Sequence, residues 1–174
     1  MPIVPIKNPK ELFLLMLSEL RQGTERTTEL FDEIRQIAQD PDIKEALEAR
    51  VFVSQKTLST LDQCFKLIGE QPVKLSGRVY EVFAEDFRRE LAEMQNPTAR
   101  QLFILARASQ VVHLQIAEYN ALVSAADLSG HYGVGVLLES CLADKVAFVE
   151  RARRFIRAIV ETRVAEKITA RSAA

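Results

Sequence analysis

The chain has 174 residues, of which 48% are hydrophobic and 27% charged, and its formal net charge is −1. That length suits one domain with one substantial core, and the apolar content excludes a disordered chain. A charge balance so near neutral supplies neither the long-range field that recruits nucleic acid nor an acidic solvating tail.

The opening MPIVPIKNPKELFLLML carries an uninterrupted apolar run only from Leu12 to Leu17. It lacks the basic lead and small-residue cleavage site of a secretory signal. Nothing in the chain approaches the roughly 18–20 apolar residues of a membrane span. A cytoplasmic protein is expected. Residues 1–8 read as an N-terminal arm, 9–168 as a single helical domain and 169–174 as a flexible C-terminal tail.

Asn8-Pro9, Asp40-Pro41 and Asn96-Pro97 repeat one piece of chemistry. The Asn or Asp oxygen can cap a helix, and proline suits the first helical position, where a missing N–H is harmless. Glu11, three residues after Asn8, makes the first start resemble a capping box. From Pro9, apolar residues fall at Phe13, Leu17, Leu20, Leu30, Ile34 and Ile37, and from Pro41 at Ile43, Leu47, Val51, Leu58, Leu61, Phe65 and Ile68. Three-and-four spacing of this kind predicts two amphipathic helices. Gly23, in the middle of the first, costs roughly 1 kcal/mol against alanine and points to a close helix approach.

Gly69 reads as a helix stop and GEQPVKLSG as a loop. A shorter helix follows, with Val79, Val82, Phe83, Phe87 and Leu91 on one stripe. The third long helix runs from Pro97 through Phe103, Ala106, Gln110, His113, Ala117 and Ala121 to about Asp127. The glycine-rich GHYGVG, which includes His131, reads as a turn because it lacks the strand before it and the Gly-Lys-Ser/Thr ending of a phosphate loop. The fourth long helix runs from near Val134 through Leu138, Cys141, Leu142, Phe148, Phe155 and Ile159 towards Ile168. No strand pattern appears.

The fold class is therefore all-α, a bundle of four long helices with an additional short helix in the connection between the second and third. The single capping unit at Asp40-Pro41 forces the second helix antiparallel to the first. The 27 residues from Glu70 to Asn96 are enough to carry the chain back along the bundle, so the third long helix is expected parallel to the second, the ferritin-like arrangement. An up-down-up-down bundle with a lid helix is the competing topology.

A dinuclear metal site in such a bundle needs inward carboxylates and histidines at mid-height. The first helix offers Thr24 and Thr27, with Glu25 beside them, and the second Arg50, Val53 and Ser54. The third offers Gln110, Val112, His113 and Gln115, with Glu118 on a flanking face, and the fourth Cys141, Asp144 and Lys145. That is one inward carboxylate, one histidine and two cations, hardly a cage for two divalent ions.

The run LFLLMLSELRQGTERTTELFDEIRQIAQDPDIKEALEARVFVSQKTLSTLDQCFKLIGEQP, followed by HLQIAEYNAL and LLESCLADK, resembles the YciE/YciF family of bacterial ferritin-like proteins over roughly residues 10 to 160. The resemblance implies a ferritin-like bundle, commonly dimeric, associated with stress responses. It also implies an acidic residue near Thr24, a His and a Glu at Arg50 and Val53, two Glu residues at Val112 and Gln115, and a Glu-Glu-Lys run at Ala143, Asp144 and Lys145. Of these ligands only Asp144 remains a carboxylate. Asp144, His113 and Glu25 are thus remnants of a degenerate metal site, and His113 is expected as a core or half-buried histidine bonded to Gln110 or to an opposing helix. Because carboxylates stripped of their ions would repel one another, Arg50 is expected to pair with Asp144, with Gln115 nearby.

Cys64 and Cys141, at core spacing and without a CxxC pair, read as buried reduced thiols. The arginine-rich stretch from Arg151 reads as a solvated helix face suited to the negative end of its dipole, with nucleic acid as a partner of low weight. No nucleophilic triad is recognisable. The functional expectation is a non-enzymatic, stress-associated structural or interaction protein, homodimeric and without cofactor. The alternative is a dinuclear iron or manganese carboxylate protein that handles metal or peroxide.

Overall fold

The structure, a computed structural model, describes residues 6–172, apart from the side chains at 167, 168, 171 and 172. Five helices follow one another among the described residues: α1 (Pro9–Ile37), α2 (Pro41–Ile68), α3 (Arg78–Ala92), α4 (Pro97–Leu128) and α5 (Tyr132–Ser172). The three proline starts form as predicted. Asn8 accepts from the Glu11 amide, Asp40 from the amides of Asp42 and Ile43, and Asn96 from the Ala99 amide. Glu11 reaches back as in a capping box but accepts from the Asn8 side-chain amide at 2.9 Å and from the Lys7 backbone N–H at 2.7 Å, one residue before the cap. Gly69 ends α2 at φ 69°, in the left-handed region that glycine enters without strain.

The last helix departs from expectation. The sequence pattern ends the domain at 168 and leaves a flexible tail after it, whereas α5 continues through Ser172. Residues 1–5 of the arm and 173–174 of the tail lie outside the described residues.

Helices α1, α2, α5 and α4 form a closed square in that order, each packed on its two neighbours, while α3 lies across α1 and α4. Two apolar clusters give the directions. One joins Phe13, Leu17 and Leu20 of α1 to Leu61 and Phe65 of α2, Leu122 and Ala126 of α4, and Val134 and Leu138 of α5. The other joins Leu30 and Ile34 to Ile43 and Leu47, Ile104 and Leu105, and Ala152. The ends of α2 and α4 therefore share one end of the bundle, so these helices are parallel and diagonal, with α3 carrying the chain back between them. This is the ferritin-like topology, not the up-down-up-down alternative.

Two predicted stripes need correction. In α3, Phe87 and Leu91 are buried but Val79 and Val82 are exposed, and Tyr80 takes the inward place between them. In α4 the predicted face was the wrong one. Ala106, Gln110, His113, Ala117 and Ala121 are exposed, whereas Ile104, Leu105, Ala108, Val111, Val112, Gln115, Tyr119, Leu122 and Ala126 are buried. Alanine is small and apolar enough to line either side of a helix, so an α4 rich in it shows two usable stripes, and only contact with α1 and α5 selects one.

Candidate functional site in the bundle interior

Between the two apolar clusters lies a belt of buried polar side chains. It holds Thr24 and Thr27 from α1, Arg50, Ser54 and Thr57 from α2, Gln115 from α4 and Lys145 from α5. Every member falls on its helix between residues of the two clusters, at the height where a bundle of this topology would hold a dinuclear metal site.

The hydroxyls of the belt mostly satisfy themselves along their own helices. Thr24 donates to the Leu20 carbonyl at 2.8 Å, Thr27 to that of Gly23 at 2.8 Å and Thr57 to that of Val53 at 2.9 Å. Gln115 reaches across the bundle and donates through Nε2 to Thr27 Oγ1 at 2.9 Å.

The cations are held differently. The Arg50 guanidinium carbon stands 5.4 Å from the ring centres of both Phe31 and Phe148, and these rings meet edge to face. Lys145 Nζ lies 5.6 Å from the centre of the Tyr119 ring. The negative faces of aromatic rings attract such cations, most strongly where water is excluded. No protein hydrogen bond reaches Arg50 Nε, Nη1 or Nη2, Lys145 Nζ, Ser54 Oγ, Gln115 Oε1 or the Tyr119 hydroxyl. Burial lowers the Arg50 pKa to about 10. Burial first, and the Arg50 charge second, push Lys145 well below the ordinary lysine range.

The expected Arg50–Asp144 ion pair does not form. Asp144 is exposed, and Arg50 finds its company in two phenylalanines. The apolar stripe of α5 passes through Leu138, Cys141, Lys145, Phe148 and Ala152, which turns Lys145 inward and rotates Asp144 by one residue, about 100°, off that line. Gln115 does reach the interior, but bonded to Thr27. His113 is likewise not a core residue. It is exposed, with Nδ1 2.8 Å from the Ser109 carbonyl oxygen of its own helix, and Gln110 is exposed too and accepts from Arg107. Glu25 is exposed and lies 3.9 Å from Arg21. Asp144, His113 and Glu25 are thus all exposed, and Asp144 alone of the three lines the cleft that leads to Arg50.

Lys145, one of the two inward cations expected from the sequence, does enter the belt, whereas the sequence pattern assigns no role to Tyr119, although three-and-four spacing from Val112 runs straight to it. A second pair has no local sequence signal. Tyr80 of α3 inserts against α1 and donates to both carboxylate oxygens of Glu118, at 3.0 and 2.9 Å. Burial raises the Glu118 pKa, and the Tyr80 bond opposes that rise. Gly23 makes room for the ring, since a Cβ there would fall 2.3 Å from Tyr80 Cε2.

This donor set does not fit two divalent cations, which need several anionic or neutral oxygen and nitrogen ligands converging on one point. The belt presents two cations instead, and among the described residues no three His, Cys, Asp or Glu side chains gather as a metal-holding group. Cys64 and Cys141 are buried and unpaired, and burial pushes the Cys64 thiol up to about 12, far from thiolate reactivity. A cleft of about 190 Å³ between α2 and α5, walled by Ala46, Ala49 and Ala147, leads from the surface to Arg50, with Asp144 and Arg151 also on its lining.

Comparison with known proteins agrees with this architecture. Residues 8–165 match the family described as Domain of unknown function (DUF892). The stress protein YciF from E. coli superposes with a TM-score of 0.85 at 18% identity, over 90% of this chain and 99% of that one. YcfI from Rhodopseudomonas palustris gives 0.83 at 22% identity, over 88% and 98%. A ferritin-like, diiron-carboxylate protein from Bacillus anthracis gives 0.67 at 16% identity, over 87% and 99%. No curated protein matches the chain.

Proposed function

The chain belongs to the DUF892 family of YciE/YciF type, and on that premise we propose that it is a metal-free, non-enzymatic ferritin-like bundle that works through its surface as a homodimer. The observation that carries the reading is the pair of buried cations, Arg50 and Lys145, at the height where a dinuclear site would need carboxylates. A divalent ion placed there would meet the Arg50 charge and a lysine in place of carboxylate ligands, in a low-dielectric interior where like charges repel most strongly. The likeness to the E. coli stress protein supports a stress-associated role.

A second copy of the chain suits the outward face of α4. Ala106, Gln110, His113, Ala117 and Ala121 are exposed there beside Leu114, in a stripe without Asp, Glu, Lys or Arg. Depletion of charge distinguishes the centre of an interface from ordinary surface, and small residues allow two helices to approach closely across a two-fold axis.

The dinuclear alternative draws on the fold shared with the diiron-carboxylate protein, and metal analysis separates the two. Protein purified without chelator is expected to carry iron and manganese far below one ion per chain, and Asp144→Ala is expected to leave that content unchanged. Near-stoichiometric metal that Asp144→Ala abolishes would overturn the reading.

A further inference from the structure

The seven orphaned interior atoms are unequally divided between giving and accepting. Four are nitrogens of Arg50 and Lys145, which only donate; two are the hydroxyls of Ser54 and Tyr119; the amide oxygen Gln115 Oε1 alone can do nothing but accept. They come from α2, α4 and α5. Residues Ser54, Gln115, Tyr119 and Lys145 are fully buried, and Arg50 is 2% exposed.

Water can bond several of these groups, because Ser54 Oγ, Tyr119 Oη and Gln115 Oε1 all accept, but it cancels none of the positive charge. The carboxylates nearest in charge do not help either. Asp144 stays at the surface, and Glu118 is engaged by Tyr80. An anion accepts several donors and adds none.

We propose that the middle of the bundle, between Arg50 and Lys145, is a binding site for a small monovalent anion of halide size, with Ser54 and Tyr119 as neutral donors. A sphere suits donors that arrive from three helices, because it accepts from any direction, whereas a planar carboxylate favours in-plane partners. Its way in is the alanine-walled cleft, which reaches Arg50 and carries both Asp144 and the Glu45-paired Arg151 on its lining. The same negative charge offsets the Arg50 repulsion that, after burial itself, lowers Lys145.

This inference rests on the cationic reading of the interior given above, and the two fail separately: bound iron or manganese ends the former reading, whereas the experiment here concerns halide alone. Crystals of the full chain soaked in sodium bromide are expected to show an anomalous bromine peak in contact with both Arg50 and Lys145. In parallel, melting of the wild type in sodium chloride is compared with sodium gluconate at equal ionic strength. Halide at ten times its Kd is expected to raise Tm by roughly 3–6 °C, and Lys145→Met to lose that increment. Bromine at surface positions only, an adventitious ion only, overturns the proposal, as does a wild-type Tm indifferent to the anion. The wild-type measurements decide the matter even if the variant does not fold.

Discussion

Arg50 and Lys145 each bring a charge into a place where charge is expensive, and each does so on a different kind of support. Arginine is weakly hydrated and planar, so two phenylalanine faces go some way towards replacing its water. Lysine is a compact, strongly hydrated charge, and one tyrosine ring replaces less. Its native pKa is accordingly pushed far below the 10.5 of an ordinary lysine. Between the two values the unfolded chain holds a proton that the native one has released, so stability rises with pH through that window and is lowest below it. Replacing a buried charge with an apolar side chain of similar volume is often stabilising by about 1–4 kcal/mol. In chloride-free buffer at pH 7, Lys145→Met is therefore expected to raise the urea midpoint relative to the wild type. The advantage should shrink once the pH rises through the lowered native pKa of Lys145 towards 10.5. A variant less stable than the wild type at pH 7, or an advantage independent of pH, would show that Lys145 is satisfied in a way the orphaned Nζ does not reveal.

Among the elements, α3 is the one whose place depends on a single close approach. Its helical pattern is amphipathic, but its docking rests on Tyr80 passing over Gly23 to reach Glu118, as well as on Phe87 and Leu91. Alanine ordinarily favours a helix over glycine by about 1 kcal/mol. Here the added methyl would lie 2.3 Å from a buried, rigid ring. Gly23→Ala is expected to lose roughly 1–3 kcal/mol through overpacking, with faster proteolysis of the segment around α3 as the local sign. Tyr80→Phe, which fits the same space but removes a bond to a half-buried carboxylate, should cost about 0.5–1.5 kcal/mol without that proteolytic change. A stabilised Gly23→Ala protein would remove the steric account of the glycine.

At the scale of the whole molecule, the outward stripe of α4 through Ala106, Gln110, His113, Ala117 and Ala121 is exposed and carries no Asp, Glu, Lys or Arg. The outward stripe of α4 is flanked by arginines that already have partners, such as Arg107 with Glu90. Several arginines of α5 are engaged as well: Arg151 pairs with Glu45, Arg153 with Glu150 and Arg163 with Glu166. Placing a charge at the centre of an isologous interface sets it against its own copy across the axis. Ala117→Arg is therefore expected to convert a dimer into a monomer in sedimentation velocity, with little change in the monomer's helix content, because residue 117 is exposed in the isolated chain. A wild type already monomeric, or a dimer unaffected by the arginine, would move the interface elsewhere. No described helix is long and apolar enough to cross a membrane.

The sequence by itself determined the all-α class, the three proline-capped starts and the glycine stop of α2; the length of the 70–96 connection favoured the parallel return of a ferritin-like bundle but left the up-down-up-down alternative open until packing decided it. These features were legible because capping, turn chemistry and chain reach are local quantities. Which way the interior side chains point was not. In α4 two apolar stripes competed, and the reading that followed Ala106, His113 and Ala117 put the histidine inside. In α5 a difference of one residue decided that Lys145, not Asp144, entered the belt. Helix periodicity yields an angle only to within about a residue, 100° of rotation, and only packing against α1, α2 and α5 resolves it. The bridge from Tyr80 through Gly23 to Glu118 joins residues far apart along the chain, so its meaning arises only once the helices have met.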